Sequence, residues 1–550
     1  MSNRRSVGRT LAIVVVLELL VGAWIWFGNM PSTASAQPAT AESQGATPAA
    51  TVASPELPSS LKPAPKPPAK LECPKKKSSP PKPLTDDLLP IGILIAVIAL
   101  VIWRLPRVEL GHSDAFRHRR LLNWLPLGLT YSFLYFARYN IKQFQGIGLT
   151  EVEYGTVFGV GSAVYGLSFL LNGPLTDRWG GRTTILIAAA GAGGANALMG
   201  FMAMTGTTFG LAPVTAFALV FAVNMYFQSF GAVSIVKVNA AWFHLRERGT
   251  FGGIFGILIS LGLYFAYDVG KRIVQHFDVE WLFFIPAIIL FVFFLLSYLF
   301  VRDTPSDAGH PDFDLGDATN EGERLTVGQV FIKLMTHPVI VVISVIELCS
   351  GFLRQAILQW GVDFGNGVGL GKSFVFQNWG MVSCIAGITG GMFAGAISDH
   401  LFQSRRSPVS AVLYAIMLSG AIAIVPLFAA PEAIGWVVAT MSMAIIGVHG
   451  MLTATASADF AGKRNTGMAV GIIDGFVYIG STIQSFLYGT MLPASKIRDA
   501  NDCLVPNPEA AKIDNWSIWP YGMIPIALLG FLLTLKIWNA RPSKGGRPGH

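Results

Sequence analysis

Two arginines interrupt apolar sequence, Arg138 in SFLYFARYNIK and Arg354 in CSGFLRQAILQW, 216 residues apart and at comparable places in two halves of the chain. A guanidinium stays charged at physiological pH and presents a planar fork of donors suited to phosphate or carboxylate oxygens. Inside a membrane helix it costs at least about 2.5–3.5 kcal/mol on insertion scales, so it normally faces a partner, a water-filled cavity or an anion. The chemistry on offer is anion binding. Lys142 follows Arg138 by four residues, on the same face of a continuous helix. It either adds a cation to the site or snorkels to the outer interface. Tyr135 and Trp360 lie near the two arginines by helical spacing. Tyr131, Tyr165, Trp379, Phe476 and Tyr478 are further cavity candidates, although most aromatics in such a chain pack or sit at interfaces.

Two acids also lie in apolar surroundings. Glu347 precedes Arg354 by seven residues and projects from nearly the same face two turns away, and Asp474 interrupts GIIDGFVYIGS. Membrane carboxylates carry protons in coupled transporters or neutralise cations in the empty state, and both roles stay open here. His449 is a lone membrane histidine and receives no coupling role.

The elements that must position these groups are membrane helices. Of 550 residues, 52% are apolar and 13% charged, and the mean hydropathy is +0.52, more apolar than a soluble core requires. From Leu121 to Trp538 about twelve apolar runs follow one another, each near the roughly 20 residues that cross a bilayer. Many of the 59 glycines fall inside them, where small residues let helices approach closely.

The core repeats. Arg138 to Arg354 and Arg248 to Arg464 are each 216 residues apart, and Asp177 to Asp399 is 222. Near-constant offsets predict two homologous six-helix halves, with matched residues facing one another across a central axis. The predicted bounds are 115–302 and 334–540, joined by a polar linker at 303–333. Short basic breaks (Arg178 and Arg182, Arg246 and Arg248, Arg405 and Arg406, Lys463 and Arg464) and the basic tail 541–550 place both ends of the core in the cytoplasm. Loop topology accounts for the net charge of +8 without nucleic acid.

The N-terminal region differs. Residues 1–36 read as a signal sequence or an anchor, with a basic start, an apolar run and Ala34-Ser35-Ala36. Residues 37–87 are rich in Pro, Ala and Lys, a composition of extracytoplasmic linkers that bury no core, and they serve as a tether or reach a partner. Residues 88–104 form an extra span returning the chain to the cytoplasm. Cys73 and Cys503 lie outside the predicted helices and on the same extracytoplasmic side, where a disulfide between them is permitted.

At the loops the resemblance becomes specific. NGPLTDRWGGR, with Gly173, Asp177, Arg178 and Arg182, resembles the loop between the second and third helices of the major facilitator superfamily. There glycine permits close helix packing, and the aspartate and arginines make cytoplasmic gating contacts. GAISDHLFQSRRSP (Asp399, Arg405, Arg406), RERG (Arg246 to Gly249) and GFLRQAILQW resemble the organophosphate:phosphate antiporters, including the glycerol-3-phosphate and hexose-6-phosphate exchangers. The resemblance covers Leu121 to Ala540. It implies that Arg138 and Arg354 bind substrate phosphate between the halves. Two positions depart from it: a lysine frequent on the second helix falls on Phe169, and a fifth-helix histidine of the glycerol-3-phosphate exchanger falls on Ile259.

No catalytic constellation, nucleotide loop, metal cluster or cofactor motif emerges. The expected protein is an all-helical major facilitator transporter in a bacterial-type inner membrane, exchanging an organic phosphate ester for inorganic phosphate by alternating access. A sugar-phosphate receptor of the same fold and a proton-coupled organic-anion importer are the alternatives.

Overall fold

The computed structural model describes residues 85–104, 111–244, 247–314, 326–402, 406–452, 466–499 and 503–539. The expected signal or anchor at 1–36 and nearly all of the Pro-rich linker, with Cys73, lie outside them, as does the tail 541–550. Helix α1, Thr85–Arg104, falls on the expected extra span. It buries Leu94, Ile98 and Val101 along one stripe, the spacing of a helix with a single packed face.

Among the described residues, twelve long helices follow. Six form the first half: α2 (Asp114–Tyr139), α3 (Glu151–Trp179), α4 (Gly181–Thr205), α5 (Pro213–Trp242), α6 (Arg248–Tyr264) and α7 (Trp281–Phe300). Six form the second: α8 (Pro338–Leu358), α9 (Trp379–Leu401), α10 (Arg406–Ile424), α11 (Ile434–His449), α12 (Thr466–Met491) and α13 (Ile518–Lys536). Eight helical stretches are long and apolar enough to cross a membrane. The fold is all-α and polytopic. Local chemistry sets several boundaries: Ser113 caps α2 by accepting from Phe116 N–H, and Thr150 with Glu153 closes a capping box at the start of α3. Between the halves, a short helix at Val327–Met335 opens on a second capping box, Thr326 with Gln329.

The halves meet through α3 against α12 and α6 against α9, while α1 lies on α9. Small residues make the contact close. A Cβ at Gly155 of α3 would lie 2.6 Å from the Ser485 carbonyl oxygen of α12. Within the second half, a Cβ at Gly351 of α8 would collide with the Val477 carbonyl of α12. Backbone approach of this kind is how membrane helices gain packing energy without a hydrophobic driving force.

The first helix of each half is broken just beyond its arginine. Helix α2 ends at Tyr139, Asn140 forms a turn, and a short helix resumes at Ile141–Phe144. Helix α8 ends at Leu358, Gln359 turns, and Trp360–Gly367 resumes. Carbonyls near a break need outside donors in a bilayer. Asn196 and Asn224 both donate to Ala137 O, at 3.0 and 3.1 Å. In the second half, three residues before the interruption at Gln359, Trp519 Nε1 donates to Ala356 O at 2.9 Å.

Candidate functional site between the two halves

Arg138 sits in the last turn of α2, fully buried. Its Nε donates to Gln228 Oε1 of α5 at 2.8 Å and its Nη1 to the Tyr478 hydroxyl of α12 at 2.5 Å. The guanidinium carbon stands 4.3 Å from the Tyr165 ring centre and 4.7 Å from that of Tyr135, a cation–π cradle. Gln228 is itself held, donating to Asn224 Oδ1 at 3.0 Å. A polar chain from α5 thus orients the arginine, and its Nη2 has no hydrogen-bond partner among the described residues.

Arg354 comes from the matching position on α8. Its guanidinium carbon lies 5.6 Å from the Tyr478 ring centre, so one tyrosine accepts from the first arginine and faces the second. The Nε and Nη2 of Arg354 are buried and unpartnered. Those two nitrogens form one edge of the guanidinium, the edge that grips an oxyanion at two points. Among the described residues, neither arginine is ion-paired to a carboxylate. Next to them, Gln355 Nε2 donates to the Tyr139 hydroxyl at 3.3 Å. These residues are also 216 apart, so matched positions meet across the axis. Two buried guanidiniums thus stand on opposite halves, both beside Tyr478.

Lys142 is placed differently from either expectation. Lys142 lies beyond the interruption at Asn140, in the short helix Ile141–Phe144. It instead donates to Asp363 Oδ2 and Gln145 Oε1, both at 2.6 Å, with both ionic side chains almost wholly buried. Gln145 Nε2 donates to Asp363 Oδ1 at 3.0 Å. Asp363 was not among the sequence candidates, although a lone acid in WGVDFGNG just past an apolar run was a visible signal. The pair joins the halves at this end of the bundle and belongs to a larger clasp. A hairpin of β1 (Lys496–Arg498) and β2 (Leu504–Pro506) reaches from the second half to the first. Arg498 pairs with Glu153 at 3.1 Å, Ser495 N–H donates to Glu151 at 2.9 Å, and Lys496 Nζ donates to the Gly146 carbonyl. In the π-helical turn Phe265–Val269 that continues α6, Asp268 accepts from Gly380 and Met381 N–H at 2.9 and 2.8 Å. A carboxylate at the start of α9 suits the positive end of that helix.

Of the two weighted aromatics, Tyr135 touches Arg138, whereas Trp360 stands 5.5 Å from Lys142 Nζ and against Tyr488. Tyr478, one of several aromatics in the sequence, is the residue between the arginines. Phe169, at the place of the family's lysine, packs on Tyr165 and Tyr478. Glu347 does not meet Arg354; its Oε2 lies 3.3 Å from His449 Nδ1 of α11. The turn at which α11 ends brings that histidine to it, which spacing along α8 cannot reveal. Asp474, four residues before Tyr478, is half-buried within electrostatic reach of Arg354 and Tyr165.

At the loops expected to gate, the space around Gly173 is open, so it is not the close-packing glycine. Gly181 is, since a Cβ there would lie 2.9 Å from the Ser234 carbonyl oxygen. Asp177 accepts from Lys237 at 2.6 Å in an exposed pair, and Arg178 is exposed. Arg182 donates its backbone N–H to Asp303 and its Nη2 to the Tyr298 carbonyl, each at 2.8 Å. Asp399 and Arg406 lie in α9 and α10 where side chains are not described, and Arg405 lies outside the described residues. Cys503 is buried and disulfide-bonded, whereas the buried Cys349 and Cys384 are not in a disulfide.

Twelve helices in two matched halves around a shared polar centre define a multi-pass membrane transporter. The Major Facilitator Superfamily profile matches residues 127–485, and the chain belongs to that superfamily. It is 27% identical over 385 residues to the glycerol-3-phosphate transporter of Bacillus subtilis (strain 168), covering 67% of this chain and 85% of that protein. It is 25% identical over 389 residues to the membrane sensor protein UhpC of Salmonella typhimurium, covering 67% and 84%. With the hexose-6-phosphate:phosphate antiporter of the same organism it shares 25% identity over 350 residues, covering 60% and 72%. Among solved structures, a bacterial homolog of the human lysosomal transporter Spinster, inward-facing and unoccupied, aligns with a TM-score of 0.56 at 13% identity, covering 79% of this chain and all of that one. The D-xylose-proton symporter aligns at 0.51 and 17% identity, covering 77% and 99%. These structural likenesses establish the fold. The chain is a transporter of this superfamily and not an enzyme.

Proposed function

We propose that the protein exchanges an organic phosphate ester, of the glycerol-phosphate or sugar-phosphate type, for inorganic phosphate by alternating access. The observation that carries this reading is the pair of buried guanidiniums on opposite halves, ion-paired with no acid among the described residues and linked through Tyr478. Substrate phosphate binds between Arg138 and Arg354, relieves their repulsion and draws the halves together around it. A ligand moves such an equilibrium only as far as it binds one state better than the other. Tyr135 lines the site beside Arg138. Lys142 and Trp360 act at its clasped end, and Asp474 and Glu347 stand as ion-pair or coupling groups around it. The domain plan is a signal or anchor, an extracytoplasmic linker, an extra span and two six-helix halves whose ends face the cytoplasm across an inner membrane. The loops holding Asp177, Arg182, Asp399, Arg405 and Arg406 close the cytoplasmic side. Phosphate-loaded proteoliposomes that take up an organic phosphate without an imposed pH gradient support this reading. Uptake that needs a proton gradient and ignores internal phosphate rejects it and makes Glu347 or Asp474 a proton carrier.

A sensor reading is favoured by one observation, the similarity to membrane sensor proteins named UhpC at 24–25% identity. It predicts tight ester binding with negligible turnover in the same vesicles.

A further inference from the structure

Beyond the arginines, the break in α8 carries polar atoms that the phosphate does not use. Gln355 and Gln359 are one helical turn apart, and Trp360 follows at the break. All three side chains are fully buried. Gln355 Oε1, both amide atoms of Gln359 and the Trp360 indole N–H have no hydrogen-bond partner among the described residues. Buried amides left unpaired are costly in a membrane interior, and such groups are normally satisfied. Four orphan atoms on neighbouring residues therefore point to a ligand. Their place is defined at both ends: Gln355 donates to Tyr139, the neighbour of Arg138, and the Trp360 ring lies 5.5 Å from Lys142 in the clasp. The orphan atoms run from the level of the arginines toward the Lys142–Asp363 pair.

Their chemistry limits the occupant. Two amide oxygens require donors, and an amide NH₂ and an indole N–H require acceptors. A phosphoryl group bound by two arginines is predominantly an acceptor. A hydroxyl both donates and accepts, so a chain of hydroxyls satisfies the mixed set. We propose that Gln355, Gln359 and Trp360 form a hydroxyl-reading subsite on the clasp side of the arginines. The organic moiety of the ester then points toward Lys142–Asp363, and esters without hydroxyls are rejected there. This rests on the reading that phosphate sits between Arg138 and Arg354.

The test uses full-length protein in phosphate-loaded proteoliposomes, with uptake of labelled phosphate competed by glycerol 3-phosphate, glucose 6-phosphate or n-propyl phosphate. The expected result is that propyl phosphate, an ester of the same phosphoryl group without hydroxyls, competes at least about tenfold more weakly than the better polyol ester, because the glutamines stay unpaired beneath it. Gln359→Leu and, separately, Gln355→Leu should compress that ratio to below about threefold by removing the groups that reward a hydroxyl. Equal competition by all three esters in the wild-type protein overturns the subsite. A wild-type ratio that survives both substitutions removes these glutamines from it. If labelled phosphate does not exchange at all, the transport reading fails instead, and ester-against-propyl-phosphate thermal shifts of the purified protein then decide the subsite by the same ratio.

Discussion

Arg354→Lys separates charge from geometry at the proposed site. Lysine keeps one positive charge but replaces a rigid planar fork with a single ammonium on a flexible stem. In the structure, the Nε and Nη2 of Arg354 are buried and have no hydrogen-bond partner among the described residues, so its two donors are available together. An ammonium supplies one of those contacts and leaves the other phosphate oxygen unserved in a site largely shut off from water. Hydrogen bonds to charged groups are worth about 1.5–3 kcal/mol each, which corresponds to a roughly tenfold to more than hundredfold loss of phosphate affinity. Arg138→Lys should lose at least as much, because lysine cannot keep the bonds to Gln228 and Tyr478 while also reaching a ligand. The assay is equilibrium binding of phosphate and phosphate exchange by purified single mutants that elute as folded monodisperse protein. Near-wild-type values in both mutants would show that these arginines are structural, and the site would have to be abandoned.

Asp363→Asn should destabilise the clasped arrangement, since removing one partner of a buried ion pair costs about 3–5 kcal/mol; thermal unfolding in detergent should show the loss, and Lys142→Met in the same chain should recover most of it. Full stability of the single mutant would mean that the pair is not buried as described. Gly351→Ala should cost about 1–3 kcal/mol by overpacking against Val477, read as a lowered melting temperature; an unshifted melt would contradict the close α8–α12 approach. Mass spectrometry of unreduced protein should find Cys503 joined to Cys73, the pairing expected from topology. Both thiols free would exclude it.

The arginine pair, the two matched halves and the helical class were legible in the sequence because each rests on a strong local penalty or a periodicity. A charge in an apolar run is conspicuous whatever surrounds it, and a repeat offset of 216 survives divergence of most side chains. What the sequence could not carry was where the helices break and which partners meet across the axis. Lys142 reads as a neighbour of Arg138 by spacing along one helix; packing of the second half brings Asp363, 221 residues away, to it. Glu347 reads as a neighbour of Arg354 on the same helical face, yet a second helix brings His449 to it. Tyr478 looked like one aromatic among many until α12 packed between the halves and set its hydroxyl against Arg138. Gly173 and Gly181 are indistinguishable as letters in one loop, and only the approach of α5 makes the second indispensable. Intrinsic cost and periodicity are local properties written in the chain, whereas pairing depends on distances between segments that are set only when the helices pack.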